Sequence, residues 1–456
     1  MPADCLRASC RFRERLCGVW TVFAIWGALV PVPEARAGDE LSRYVARPDA
    51  SYAFHTIRSG RFGAAEYIEA ILTSQTWRGI VWKHQLFLVR PRQLDVPTTQ
   101  ALLFIDGGSW KPEYDSTTDH ALPRAAGLFV QLANALRAPV AIVRQVPFEP
   151  LFDGRREDTL IAYTFEQYLD TGDPEWPLLL PMVKSAARAM DAVQQLARQQ
   201  WGFSIARFTV TGASKRGWTS WLTAAVDSRV AGVAPMVIDM LNMKAQIELQ
   251  QQTFGGLSEQ IQDYERIHFP ERIDSPTGRE LVSMVDPYSY RDRLTQTKLI
   301  LLGTNDAYWP LDALNVYWSG LPEEKRVLYL PNQTHDLRDV DRLIGCVAAL
   351  NRYTAQGKRL PEISGVFTQQ SNRLKLVVHT DRMPKRVLAW SATSATRDFR
   401  QARWDSHACR RSDDAYECEE DTEHNIYTAL YAEAVFQDRG QPIFSLSTTV
   451  HISGGP

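Results

Sequence analysis

Cysteine is scarce. The 456-residue chain holds six, and three of them, Cys5, Cys10 and Cys17, fall near its start. No C-x-x-C pair and no H-E-x-x-H is present, so the usual zinc-ligand spacings are missing and no metal or cofactor is called for. Net charge is nearly absent as well: 51 Lys plus Arg against 53 Asp plus Glu gives −2. That balance carries no basic footprint for nucleic acid or an anionic membrane surface. Histidine is sparse at nine residues, which makes its placement informative. Internal repeats, low-complexity tracts and long apolar runs are lacking too, except for one apolar run near the start.

That run has a recognisable context. Arg7, Arg11, Arg13 and Arg15 precede Leu16 to Val30 (LCGVWTVFAIWGALV), Pro31 and Pro33 end it, and Ala35-Arg36-Ala37 offers an A-x-A cleavage site before Gly38. Basic region, apolar run and small-residue site together read as a secretory signal over residues 1–37. The other reading is a membrane anchor, but the run is short for a span of about 20 residues. Cleavage would leave 46 basic and 50 acidic residues and an exported, periplasmic or secreted, chain without stable membrane insertion. In an oxidising compartment Cys409 and Cys418 are expected to pair. Cys346 shares an apolar helical face with Leu343, Ile344, Val347 and Leu350 and reads as a buried thiol.

The remaining length suits one large domain and a smaller one. Residues 65–77 and 80–90 read as two antiparallel strands about Gly79. Short apolar runs then alternate with helical stretches. The runs are Ala101 to Ile105, Val140 to Val143, Phe208 to Thr211, Val230 to Ile238, Leu299 to Leu302 and Val327 to Leu330; the helices lie near 122–137, 180–200, 215 onward and 337–354. Such alternation predicts an α/β fold: a mostly parallel sheet with helices on both faces, over 38–358. The helical, glutamine-rich stretch at about 240–295 interrupts it and reads as a cap over the strand ends. From 359 to 456, short strands separated by polar turns predict a small all-β, Ig-like sandwich.

The chemistry-bearing segment is Phe208-Thr209-Val210-Thr211-Gly212-Ala213-Ser214-Lys215-Arg216-Gly217-Trp218. A strand, a sharp turn at a serine and a helix make a nucleophile elbow of the α/β-hydrolase type, where small neighbours permit the strained backbone. The spacing is G-x-S-x-x-G, with Arg216 at a position that is usually small. The plainer reading of Ser214 is a turn serine capping the helix. A nucleophilic serine needs a base and an orienting acid in the order Ser, Asp, His. Asp306 follows the strand ending at Gly303, and His335 follows the last strand. Asp239, after Ile238, is the alternative acid, and Asp312 is also near a strand end. His335, Asp336 and Asp339 are too few ligands to read as a metal set. An oxyanion hole would use the Lys215 amide and one from Gly108 or Ser109, in the glycine-paired turn after the first parallel strand. Arg216 and Trp110 are candidate substrate contacts, while Lys215's side chain reads as solvated. The 13 tryptophans suit either packing or an aromatic cleft. The sequon Asn332-Gln333-Thr334 beside His335 reads as chance, since a glycan would crowd the site.

Three segments carry a resemblance: Thr171 to Met182 (TGDPEWPLLLPM), Thr211 to Thr219 (TGASKRGWT) and Ile238 to Asn242 (IDMLN). They resemble the PhoPQ-activated pathogenicity-related protein family. The resemblance implies an α/β-hydrolase relative, exported, with Ser214 as the elbow serine. It also implies an association with two-component-regulated virulence responses and resistance to cationic peptides, and no substrate. The reading is therefore a serine hydrolase of small esters or amides. A peptidase acting on short peptides, or a non-catalytic binding protein on a hydrolase scaffold, are the alternatives. Oligomeric state is not legible.

Overall fold

The computed structural model describes residues 39–95, 99–115 and 120–455. The segment read as a signal, 1–37, lies outside the described residues. Nine strands come first: β1 (Ala53–Phe62), β2 (Ala65–Trp77), β3 (Ile80–Pro91), β4 (Gln100–Ile105), β5 (Val140–Val143), β6 (Arg207–Ala213), β7 (Val230–Met236), β8 (Thr297–Gly303) and β9 (Lys325–Leu330). They lie in the order β1-β2-β3-β5-β4-β6-β7-β8-β9. The pairs from β5–β4 through β8–β9 are parallel, and β1, β2 and β3 add an antiparallel edge. Arg78 (φ 50°) and Gly79 (φ 77°) make the β2–β3 turn, the left-handed pair that matches hairpin twist. β5 and β7 are buried along their whole length, as strands covered on both faces must be.

Helices α1 (Asp39–Ala46), α2 (Ala126–Leu136), α3 (Glu157–Thr171), α4 (Leu179–Trp201) and α5 (Lys215–Val226) follow along the chain. Strand alternation divides the core. Leu103 and Ile105 pack with Val183 and Met190 of α4 and Leu222 of α5. Leu102, facing the other way, joins Phe129 and Leu132 of α2. Between β7 and β8 stands the helical insertion expected at 240–295: α6 (Met243–Phe254), α7 (Gln262–Arg266), α8 (Phe269–Arg272) and α9 (Pro276–Val285). The Asp286 carboxylate closes it, accepting the amides of Asn242 (3.2 Å) and Met243 (2.9 Å) at its start and Tyr288 (2.9 Å) at its end. Helix α10 (Val340–Ala355) completes the α2 face. This is the α/β-hydrolase fold, with β6, β8 and β9 at the positions that carry nucleophile, acid and base.

The C-terminal stretch is β-rich and two-layered: β10 (Ile363–Gln370), β11 (Arg373–Thr380), β12 (Arg386–Ser394), β13 (Asp405–Ala408), β14 (Arg410–Ser412), β15 (Ala415–Asp421), β16 (Tyr427–Gln437), β17 (Ile443–Ser447) and β18 (His451–Gly454). One layer is β10-β11-β15-β14. The other, β17-β16-β12-β13, joins the main sheet where Ser447 lies opposite Val327 of β9. The expected division at 358/359 thus marks a change of composition, while the main sheet's hydrogen bonding continues across it. Cys409, between β13 of one layer and β14 of the other, is disulfide-bonded to Cys418 of β15. Cys346 is a buried free thiol, and burial pushes it up to about 12.

Candidate active site

Ser214 stands between β6 and α5 at φ 56°, ψ −126°, a conformation L-residues rarely hold. Its amide donates to Met236 O of β7 (2.9 Å), which fixes the turn against the neighbouring strand. The glycines explain the spacing. A Cβ on Gly212 would stand 2.7 Å from Arg216 O, and one on Gly217 would stand 3.0 Å from both Gly212 O and Met236 O. Close approach thus demands both glycines, Gly212 against the Arg216 backbone and Gly217 against the strand ends, while the far end of the Arg216 side chain runs to Val146 and Glu157.

Asp306 and His335 meet at the ends of β8 and β9. His335 Nδ1 is 2.9 Å from Asp306 Oδ2 and 3.1 Å from Oδ1, so Nδ1–H donates to the carboxylate. Asp306 also accepts the Tyr308 amide (2.9 Å), and the Tyr308 ring stacks on the imidazole with centroids 4.1 Å apart. His335 Nε2 is enclosed and has no hydrogen-bond partner among the described residues, Ser214 included. Asp239 is engaged elsewhere. Its carboxylate takes the Tyr317 hydroxyl (2.6 Å), and burial raises its pKa to about 7.

Both loops are anchored from the C-terminal region. Asn305 Nδ2 donates to Ala402 O (2.7 Å) and Arg400 O (3.2 Å). Asn332 pairs with the Trp404 backbone in both directions at 2.9 Å. The sequon asparagine thus uses its amide to hold the segment that carries His335.

The cations are placed otherwise than the sequence suggested. Arg216, expected to grip substrate, is buried. It donates to Val146 O (2.6 Å) and forms a bidentate pair with Glu157 (2.7 and 2.8 Å). Its guanidinium lies against Gly107, where an added Cβ would come within 2.6 Å. Lys215, expected in solvent, is buried too, with Nζ 2.6 Å from Asp158 and 3.5 Å from Glu157. Burial opposes its charge, but Asp158 and Glu157 outweigh burial and raise its pKa. Gly108 takes φ 100° and faces Arg144, Ser109 Oγ accepts from Arg156, and Trp110 packs edge-on to Tyr114 and beside Phe148. These three do not line the cavity that holds Ser214 and His335. The amide of Lys215, at the first helical position, has no intrahelical acceptor.

That cavity, partly open to solvent, lies between the strand ends and the cap. Trp218, Met243, Ile247, Leu257 and Phe269 form much of its wall. Asp158, Lys215 and Tyr264 make one polar spot, in which the Tyr264 hydroxyl donates to Asp158 (3.1 Å). Trp218 and Trp309 line the cavity, whereas Trp221 is wholly buried and Trp176 packs on Trp77 and Phe152. Tryptophan thus serves both uses.

Residues 41–400 match the PhoPQ-activated pathogenicity-related protein family. The chain belongs to that family. A relative from Dictyostelium discoideum, autocrine proliferation repressor protein A, is 30% identical over 387 residues, 79% of this chain and 76% of that protein. Among solved structures, an acetyl xylan esterase from Paenibacillus sp. R4 is similar at 14% identity and TM-score 0.45, covering 67% of this chain and 91% of that one. An S-formylglutathione hydrolase from Agrobacterium tumefaciens is similar at 12% and 0.42, covering 66% and 99%. These likenesses are distant, and the fold of this family member rests on its own strand order.

Three neighbours of the site in this PhoPQ-related chain escaped sequence reasoning: Asp158, Tyr264 and Tyr308. Asp158 lies in the first turn of α3, a helix the strand-and-helix reading passed over. Its signals were present: acidic residues in the first turn, apolar Leu160, Ile161, Phe165, Tyr168 and Leu169 along one side, and Gly172 in the left-handed cap. Tyr308 lies two residues past Asp306, and nothing in its spacing marks a ring stacked on the His335 imidazole.

Proposed function

We propose that this protein is an exported serine hydrolase that cleaves a carboxylic ester or amide with Ser214, His335 and Asp306. The observation that carries the reading is His335, held by Asp306, lining one cavity with a serine in a strained strand-to-helix turn. Ser214 Oγ attacks the carbonyl carbon and its proton passes to His335 Nε2. Asp306 holds Nδ1–H and stabilises the imidazolium. The tetrahedral intermediate collapses, and His335 returns the proton to the departing alcohol or amine. Water repeats the sequence on the acyl-serine and releases the acid. The Lys215 amide is one oxyanion donor; the turn at Gly108 and Ser109, the expected source of the other, lies outside the cavity that holds Ser214. The unpaired Nε2 supports this role, since enclosed polar atoms are seldom left without a partner. Export is supported by the signal-like 1–37 segment and by the Cys409–Cys418 disulfide.

One observation favours a binding protein instead: Ser214 and His335 share no hydrogen bond. Catalytic contacts of this kind are often long before substrate arrives. Labelling with a fluorophosphonate probe separates the readings. Wild type should label and Ser214→Ala should not. Labelling that survives the substitution rejects Ser214, and folded wild type that never labels favours the binding protein. Comparing a small acyl ester with a short peptide then distinguishes esterase from peptidase.

A further inference from the structure

The reaction above needs only a carbonyl at Ser214, yet the space beside the serine is far from neutral. Its exposed lining is almost wholly apolar. Trp218 of α5 forms the floor, and the cap supplies Met243, Ile247, Leu257, Ile261 and Phe269. Most polar side-chain atoms on the wall have partners in the scaffold; besides His335 Nε2, Gln246 Oε1 and Trp309 Nε1 have none among the described residues. Gln246 donates to Ala313 O (3.0 Å) and Leu241 O (3.2 Å). Gln250 donates to Tyr308 O (3.3 Å) and accepts the Ser258 amide (2.7 Å). Lys215 is neutralised by Asp158. A hydrated group such as a sugar would lose water here and find few partners in return. A hydrocarbon chain would gain.

We infer that the substrate is an ester or amide bearing an aliphatic chain of several carbons, seated under the cap beside Ser214. This rests on the hydrolase reading and extends it from bond type to substrate class. Selectivity then comes from burial: each methylene that enters the cavity should raise kcat/KM roughly fourfold until the space is full. The cap is the specificity element, because it supplies half of the lining residues while Ser214, Asp306 and His335 all come from the strand ends.

Two ester series test this. p-Nitrophenyl esters from acetate to octanoate place the chain on the acyl side, and acetate esters of alcohols of increasing length place it on the other. The expected result is a rise of at least tenfold in kcat/KM from the shortest to the optimal member of one series. Ile247→Trp, which fills the cavity, should cut the octanoate-to-acetate ratio at least tenfold. Flat or falling values in both series overturn the inference while leaving the hydrolase reading intact. Should no ester be turned over and no fluorophosphonate label form, the hydrolase reading fails, and calorimetry with fatty acids still decides the cavity. Octanoate binding at least tenfold tighter than butyrate, to wild type or Ser214→Ala, supports the inference, and equal or absent binding overturns it.

Discussion

Replacing Arg216 with Met separates two roles for a cation beside the proposed nucleophile. In the structure the guanidinium is enclosed, with one bond to Val146 O and two to Glu157. Removing one partner of a buried pair costs about 3–5 kcal/mol. The Glu157 side chain is 42% exposed and recovers water when its partner is lost, which points to the low end, about 3 kcal/mol. Unfolding entropy is about 2 cal/mol/K per residue, so for a chain of this size the melting temperature should fall by roughly 3–4 °C. Differential scanning calorimetry measures this directly. The turn at Gly107 also loses the group packed against it, so kcat for a reactive ester should fall with KM little changed. A substrate-gripping arginine predicts the opposite pattern: unchanged melting and a raised KM confined to anionic substrates. A melting temperature for Arg216→Met within about 1 °C of wild type would refute the structural role.

Other perturbations follow from the same geometry. Asn332→Asp keeps the acceptor for the Trp404 amide but sets a carboxylate against Trp404 O. The His335 loop should loosen, lowering kcat while KM holds, and an unchanged kcat would show that the anchor does not position the base. Asp239, pushed by burial from 3.8 to about 7, keeps a proton in the folded state that the unfolded chain releases. Its contribution to stability is therefore full below pH ~4, declines as pH rises to ~7, and is flat above that. Urea midpoints at pH 5 and pH 8 should show a smaller decline for Asp239→Asn than for wild type; equal declines would count against the assignment.

Much of the architecture was legible because burial writes itself into pattern. β5 and β7 are continuous apolar runs, and the turn at Gly212 to Gly217 announces a backbone approach that only glycine permits. The positions of Ser214, Asp306 and His335 at strand ends were readable, since topology carries such residues to one edge. The side chains were harder. Lys215 and Arg216 look alike in sequence, and nothing local shows that Glu157 and Asp158, more than fifty residues earlier, would neutralise both. The same holds for Gly108, Ser109 and Trp110, whose turn is occupied by Arg144, Arg156 and Phe148. Nor does strand spacing reveal that β17 pairs with β9, because register between distant strands depends on how their ends are held.

The most direct measurement is the hydrolysis of one reactive ester by wild type and Ser214→Ala under identical conditions, with circular dichroism to show that both are folded. Nucleophilic catalysis by this serine predicts a loss in kcat of at least ~10⁴-fold. A variant that keeps wild-type kcat to within about tenfold would contradict it.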